Sequence, residues 1–277
     1  NGGASPGRSG YTRALQAGRL VFETRERAAS FLGVAKPEEI IFTLNATDSL
    51  NMALKGILEP GDHVVYTSLE HNSVTRPLNS LCHNGMVTAT MVSCDSSGFL
   101  DVQEIARAIN SQTKLIVCTH ASNVLGRVLP VKEISRLAWE KGVYFLLDAA
   151  QTAGSLDLDL QEIKPHLAAF TGHKGLLGPP GVGLLYVREG VKIKPWREGG
   201  TGSRSEDDHQ PEMMPDYLEA GTMNTPGLAG FNEGIKFIQK IGVSAIAGHE
   251  QRLAQKLLAG LREIRKVKVF NSEGDYP

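Results

Sequence analysis

Short apolar runs alternate with amphipathic segments along most of the chain. Ile40 to Thr43 reads as a strand and Asp48 to Ile57 as a helix. His63 to Thr67 reads as a strand, and Ser73 to Leu81 as a helix. Val87 to Val92 is a third strand, and Val102 to Ile109 a helix opened by Asp101 as N-cap with Glu104 as its capping-box partner. Lys114 to Thr119 has the continuous apolar character of a buried strand. The helix Val131 to Trp139 and the strand Val143 to Asp148 follow it. This β-α-β-α rhythm predicts an α/β fold, with a mostly parallel, doubly wound sheet covered by helices on both faces and right-handed crossovers. Further on, Leu228, Phe231, Ile235 and Ile238 form one helical stripe, and Ile246, Leu253, Leu257, Leu261 and Ile264 a second. Val267 to Phe270 reads as the start of another strand.

In such a sheet, ligands bind beyond the carboxyl ends of the strands. Polar residues gather there: Asn45-Ala46-Thr47, Glu70-His71-Asn72, His120-Ala121-Ser122-Asn123, Asp148-Ala149-Ala150-Gln151 and Thr171-Gly172-His173-Lys174. Any one of these is compatible with a capped helix or a polar turn; five in succession predict a site. Gly199 to Glu219 is long, polar and aperiodic, as functional or mobile loops are.

The 277 residues suggest roughly two domains. Hydrophobic residues at 41% and charged residues at 21% allow a buried core. Lys plus Arg is 29 and Asp plus Glu 30, which supports neither a nucleic-acid groove nor a polybasic membrane surface. No apolar run reaches the roughly 18 residues of a membrane span. The opening Asn-Gly-Gly-Ala-Ser-Pro-Gly lacks the order of a signal peptide. Cys82, Cys94 and Cys118 have no metal-like spacing, and so sparse a set points to a reducing, cytoplasmic setting.

Nucleotide and zinc motifs are missing: no Gly-x-Gly-x-x-Gly follows the first strand, no Gly-Lys-Ser/Thr loop occurs, and Gly248-His249-Glu250-Gln251-Arg252 lacks a second histidine. Pyridoxal phosphate fits the residues present. It needs a lysine for a Schiff base, an acid against the pyridine nitrogen and donors around a phosphate. Lys174 lies in Gly-His-Lys-Gly, Asp148 ends a very apolar strand, and Asn45-Ala46-Thr47-Asp48 opens a helix whose dipole favours a phosphate. Taken singly, Asp148 could equally be a helix cap and Lys174 a surface lysine.

On Phe145-Leu-Leu-Asp148-Ala-Ala-Gln151 and Thr171-Gly-His-Lys174, the chain resembles the cysteine desulfurase branch of the class V, fold-type I pyridoxal-phosphate enzymes. The likeness runs from Pro6-Gly7-Arg8-Ser9-Gly10 to Glu219-Ala220-Gly221-Thr222-Met223-Asn224-Thr225. It implies that Lys174 joins the cofactor covalently and acts as the proton-transfer base, that Asp148 pairs with the pyridinium nitrogen, and that Gln151 binds the phenolic oxygen. His71 would stack on the ring. Ala46 and Thr47 would donate to the phosphate from one side, Thr171 and His173 from the other, and Asn123 would face the substrate. Thr222 would reach the phosphate of the partner subunit, which implies a homodimer with shared sites. Residues 1–240 would form the cofactor-binding domain, with 1–20 an N-terminal arm, and 241–277 the start of a small C-terminal domain.

The resemblance implies L-cysteine as substrate, alanine as product and a protein persulfide that feeds an iron–sulfur or thiolation partner. The family's upstream segment, its C-terminal sulfur-accepting cysteine and its carboxylate-binding arginine are not in these residues, and Tyr11 stands where many relatives have a histidine. Selenocysteine lysis and class V transamination would use the same lysine and aspartate. A non-catalytic scaffold that binds the cofactor or a sulfur-relay partner is the alternative from another class.

Overall fold

The computed structural model describes residues 11–95, 97–203 and 207–270. The Pro6-to-Gly10 stretch of the family resemblance lies outside them. The described chain opens with helix α1 (Thr12–Phe31), a short 3-10 turn at Pro37–Glu39 and strand β1 (Ile40–Thr43). It continues through α2 (Ala46–Ile57), β2 (His63–Thr67), α3 (Asn72–His83), β3 (Thr88–Val92), α4 (Val102–Ala108), β4 (Thr113–Thr119), α5 (Val131–Lys141) and β5 (Tyr144–Asp148). Then come α6 (Leu160–Ile163), β6 (Leu167–Thr171), β7 (Gly183–Val187), α7 (Thr225–Ile241) and α8 (Val243–Glu263).

The seven strands form one sheet in the order β1-β7-β6-β5-β4-β2-β3. Pairings β2–β3, β2–β4, β4–β5 and β5–β6 are parallel, while β7 runs antiparallel to both β6 and β1. All strands but β7 therefore share one direction, and the carboxyl ends of β1, β2, β4, β5 and β6 open onto one edge.

Alternate residues of each strand feed two cores, as the two-residue pleat requires. On one face Phe145, Leu147, Ala168 and Phe170 pack with Ile134 and Ala138 of α5 and Leu228 and Phe231 of α7. On the other, Leu115, Val117, Leu146 and Leu167 pack with Leu50 and Leu54 of α2 and Val74 and Leu78 of α3. Burial on both faces is why the central strands read as unbroken apolar runs.

Helix α1 was not expected from the pattern. Its inward face (Ala14, Ala17, Val21, Thr24, Arg25, Ala28) is small or polar, so no apolar stripe announces it. Arg25 and Glu219 bind each other through two nitrogens and two oxygens, at 2.7 and 2.8 Å, with both residues buried. The Phe42 amide also donates to Glu219 Oε1, at 2.6 Å. This cluster ties α1 and β1 to the Glu219-Ala220-Gly221-Thr222 segment.

Two local expectations are corrected. Asp101 caps α4 by accepting from the Gln103 amide, but Glu104 pairs with Arg107 on the exposed face and does not close a capping box. Val267 to Phe270 pairs with no strand among the described residues. Val267 and Phe270 are solvent-exposed, and a strand needs a neighbouring backbone to satisfy its amides. The expected helix of the second stripe is present as α8, where Ile246 packs against the core while Leu253 is 55% and Leu257 62% exposed, and Ile264 lies one residue past the last turn. The stripe Leu228, Phe231, Ile235 and Ile238 is fully buried on α7.

Candidate active site

Strand β5 delivers Asp148 to the centre of the open edge. The residue is 4% exposed, and its Oδ1 accepts from the Ala150 amide at 3.0 Å. Burial raises its pKa, opposed by that amide and by the charges of Lys174 and His71. Lys174 sits in the turn after β6, where its carbonyl accepts from the Leu177 amide at 2.9 Å, while its side chain is exposed to solvent and has no hydrogen-bond partner among the described residues.

Backbone packing fixes the two turns against each other. Gly154, with φ +89°, lies so close to Gly175 that a Cβ on it would meet the Gly175 carbonyl oxygen at 2.1 Å. A Cβ on Gly175 would meet the Ala153 oxygen at 2.6 Å. The loop that follows Asp148 and Gln151 thus seats the Lys174 turn with no side chain between them.

The start of α2 provides the open donors. Asn45 caps it by accepting from the Asp48 amide at 2.9 Å, which leaves the Ala46 and Thr47 amides unpartnered among the described residues. Asp48 turns back to accept from the Leu44 amide at 2.9 Å. Thr47 Oγ1 lies 2.7 Å from Ser73 Oγ, which lies 2.8 Å from His71 Nδ1. His71 is itself the N-cap of α3, accepting from the Ser73 amide through Nδ1 at 3.1 Å. Nδ1 is therefore an acceptor, which places the ring hydrogen on Nε2. Across β7, Thr171 Oγ1 and His173 Nδ1 are 2.9 Å apart at the end of β6.

His71, Asp148 and Lys174 are thereby brought to one region, with Thr47 hydrogen-bonded through Ser73 to His71. Gln151 follows Asp148 on the same loop, half-buried, and Asn123 is exposed after β4. Thr222 stands apart. It lines a cavity of about 600 Å³ with Val21, Phe22, Arg25 and Met223, and that cavity contains none of Lys174, Asp148 or His71. Burial raises all three thiols above the usual range, Cys118 the furthest, so none of the three is activated.

Sequence reasoning gave no role to Glu70. It sits between β2 and His71, and its Oε1 accepts from Thr67 Oγ1 at 2.6 Å and from the Thr119 amide at 2.8 Å. Its Oε2 is buried without a partner.

Among the described residues, a buried acid that forms no ion pair, unpartnered amides at the start of a twelve-residue helix and an exposed lysine with an unbonded side chain together suit one cofactor. These residues fit pyridoxal phosphate: Asp148 for the ring nitrogen, Lys174 for the aldehyde, and the α2 start with Thr171 and His173 for the phosphate. The fold and this donor set define a pyridoxal-phosphate enzyme of the α/β type.

Comparison with known proteins narrows the class. The family model for aminotransferase class-V matches residues 1–275. A probable cysteine desulfurase of Methanothermobacter thermautotrophicus is 36% identical over 272 residues, covering 96% of this chain and 68% of its own. The apo structure of the cysteine desulfurase from Thermococcus onnurineus NA1 superposes with a TM-score of 0.88 at 33% identity, over 95% of this chain and 67% of that one. A structure described as SspA in complex with cysteine matches with a TM-score of 0.76 at 31% identity, over 85% of this chain and 65% of that one. The chain belongs to the class-V aminotransferase family, among the cysteine desulfurases, whose members use pyridoxal phosphate. It spans about two thirds of the length of these relatives.

Proposed function

We propose that this chain carries the cofactor site of a pyridoxal-phosphate-dependent cysteine desulfurase, acting on L-cysteine. The supporting observation is the backbone contact of Gly154 with Gly175, which holds the exposed Lys174 turn against the loop of the buried Asp148. When bound, pyridoxal phosphate supplies an aldehyde that joins amino groups and a ring that takes up the electron pair left at the substrate α-carbon.

The chain's own residues do the rest. Asp148 holds a proton at the ring nitrogen. Lys174 Nζ would join the aldehyde and, when free, would remove the proton from the substrate Cα. His71, fixed by Ser73 through Nδ1, presents its ring over the cofactor face. Gln151 orients the phenolic oxygen, and Asn123 faces the substrate. Ala46, Thr47, Thr171 and His173 hold the phosphate. Thr222 reaches a partner subunit's site in a homodimer.

Cys82, Cys94 and Cys118 are unsuited to accepting sulfur, because burial keeps each thiol protonated. The reading therefore takes the accepting thiol from outside residues 1–277, and passes its sulfur to an acceptor protein. Residues 1–240 act as the cofactor-binding domain and 241–277 as the beginning of a smaller one, in a cytoplasmic enzyme.

The decisive experiment is borohydride reduction of the yellow protein followed by peptide mapping. The fixed cofactor is expected on the peptide containing Lys174 and is lost in Lys174→Ala. A label on another lysine, or a folded colourless protein that refuses the cofactor, overturns the reading. Alanine and sulfide released together from cysteine distinguish desulfuration from transamination.

A further inference from the structure

Glu70 is a carboxyl that the reaction above leaves unused, yet it is built into the same strand edge. Its Oε1 takes the amide of Thr119, the residue that pairs with Asp148 in the β4–β5 register. The Thr67 hydroxyl donates to the same oxygen. Both bonds fall on Oε1 and leave Oε2 buried with nothing to bind. A charged carboxylate in that position would leave one oxygen stripped of water with no donor. A neutral acid loses far less hydration on burial than an anion does, even with its hydroxyl unpartnered. Asp148 adds a second reason, because the two carboxyls flank the end of β4 from either side and repel when both are ionised.

Resting on the pyridoxal-phosphate reading, we propose that Glu70 is a positioning residue for Asp148. It is held as the neutral acid with its proton on Oε2, so that the two carboxyls share one negative charge and that charge sits on Asp148. Asp148 is then left as the anion facing the ring nitrogen, while Glu70 braces the end of β4 without competing for the ring proton.

The charged and titratable groups around Glu70 agree with this. From β5, Asp148 raises its pKa. From β4, Cys118 is a protonated thiol, and after β3 Cys94 is another, each raised by burial and by Glu70 itself. Among the described residues no cation lowers the Glu70 pKa, whereas Lys174 and His71 both favour the Asp148 anion. Burial first, and Asp148 in addition, push Glu70 up to about 8. Its proton is therefore retained at neutral pH and lost only as the pH rises through that value.

The test is isotope-edited infrared spectroscopy of the cofactor-loaded protein with ¹³C-labelled glutamate. Wild type is expected to show one protonated glutamic acid band at neutral pH, bleaching near pH 8, and Glu70→Gln to lack it while retaining the cofactor with wild-type affinity. In Asp148→Asn, removal of the neighbouring charge shifts the bleaching to lower pH. This variant keeps the proposal testable if Glu70→Gln fails to fold. A glutamate band that is fully ionised at neutral pH, a midpoint indifferent to Asp148→Asn, or loss of the cofactor from folded Glu70→Gln would each overturn the proposal. A protein that shows the acid band but never takes up cofactor instead fails the functional reading alone.

Discussion

Gly154 and Gly175 meet backbone to backbone, and a single methyl group on either one has no room. That contact joins the loop after the buried acid to the turn that presents the lysine. It makes their relative placement a property of the main chain, independent of any rotamer.

Gly154→Ala must both occupy a φ of +89° and displace the Gly175 carbonyl. It is expected to destabilise the protein by more than about 1 kcal/mol and to slow or abolish cofactor fixation on Lys174. Urea denaturation and borohydride labelling check the two effects together. Wild-type values for both would show that the turns are not held by this contact.

His71 has two separable jobs, as helix cap and as ring. His71→Ala should lose about 1 kcal/mol of stability through the missing cap, and cofactor affinity as well. Asparagine is a good N-cap, so His71→Asn should recover the stability while the affinity stays low. Cofactor titration of the two variants, beside thermal melts, distinguishes the roles; equal affinities for His71→Asn and wild type would remove the ring from the site.

The buried Arg25–Glu219 pair makes a different forecast. Arg25→Met leaves Glu219 charged and unpaired inside the protein, at a cost of about 3–5 kcal/mol. The double variant Arg25→Met, Glu219→Leu should recover much of that loss, because two apolar groups need no partner. Denaturant midpoints for the two single variants and the double variant measure the coupling.

Two buried histidines predict how the fold responds to acid. Desolvation lowers His120 to about 4, with a smaller contribution from Lys132, and His166 to about 4, with a smaller contribution from Arg188. His166 Nδ1 accepts from the Phe145 amide at 3.1 Å, so a proton there also breaks a bond to β5. Because the folded pKa lies below the unfolded value of about 6.5, the folded state binds fewer protons between the two values. Stability from these residues is therefore complete above about pH 6.5 and falls as the pH drops toward 4. Chemical denaturation across that range should show a steeper loss in wild type than in His166→Gln. Parallel slopes would rule out His166 as a contributor.

Much of the sheet and of the candidate site was legible in the sequence for a common reason. Parallel strands buried on both faces must be apolar throughout, so β2, β4 and β5 stand out, and the polar residues that end them become conspicuous. The same logic found the α7 stripe. It could not find α1, whose buried face consists of alanines, a single valine, a threonine and a paired arginine. Nor could it find β7, five residues whose direction and place between β1 and β6 depend on distant partners. The Glu70 arrangement was hidden for a related reason: its partners Thr119 and Asp148 come from later strands, and only the register sets them beside it.

The position of β7 also dictates an order of assembly. Among the described residues β1 pairs only with β7 and Arg25 finds its counter-charge only at Glu219, so both must wait until nearly the whole sheet has left the ribosome. Closing so long a loop is slow, and an arginine desolvated ahead of its partner would be heavily penalised. Helix α1 is therefore expected to dock late, as a clasp over a sheet already formed from β2 to β6.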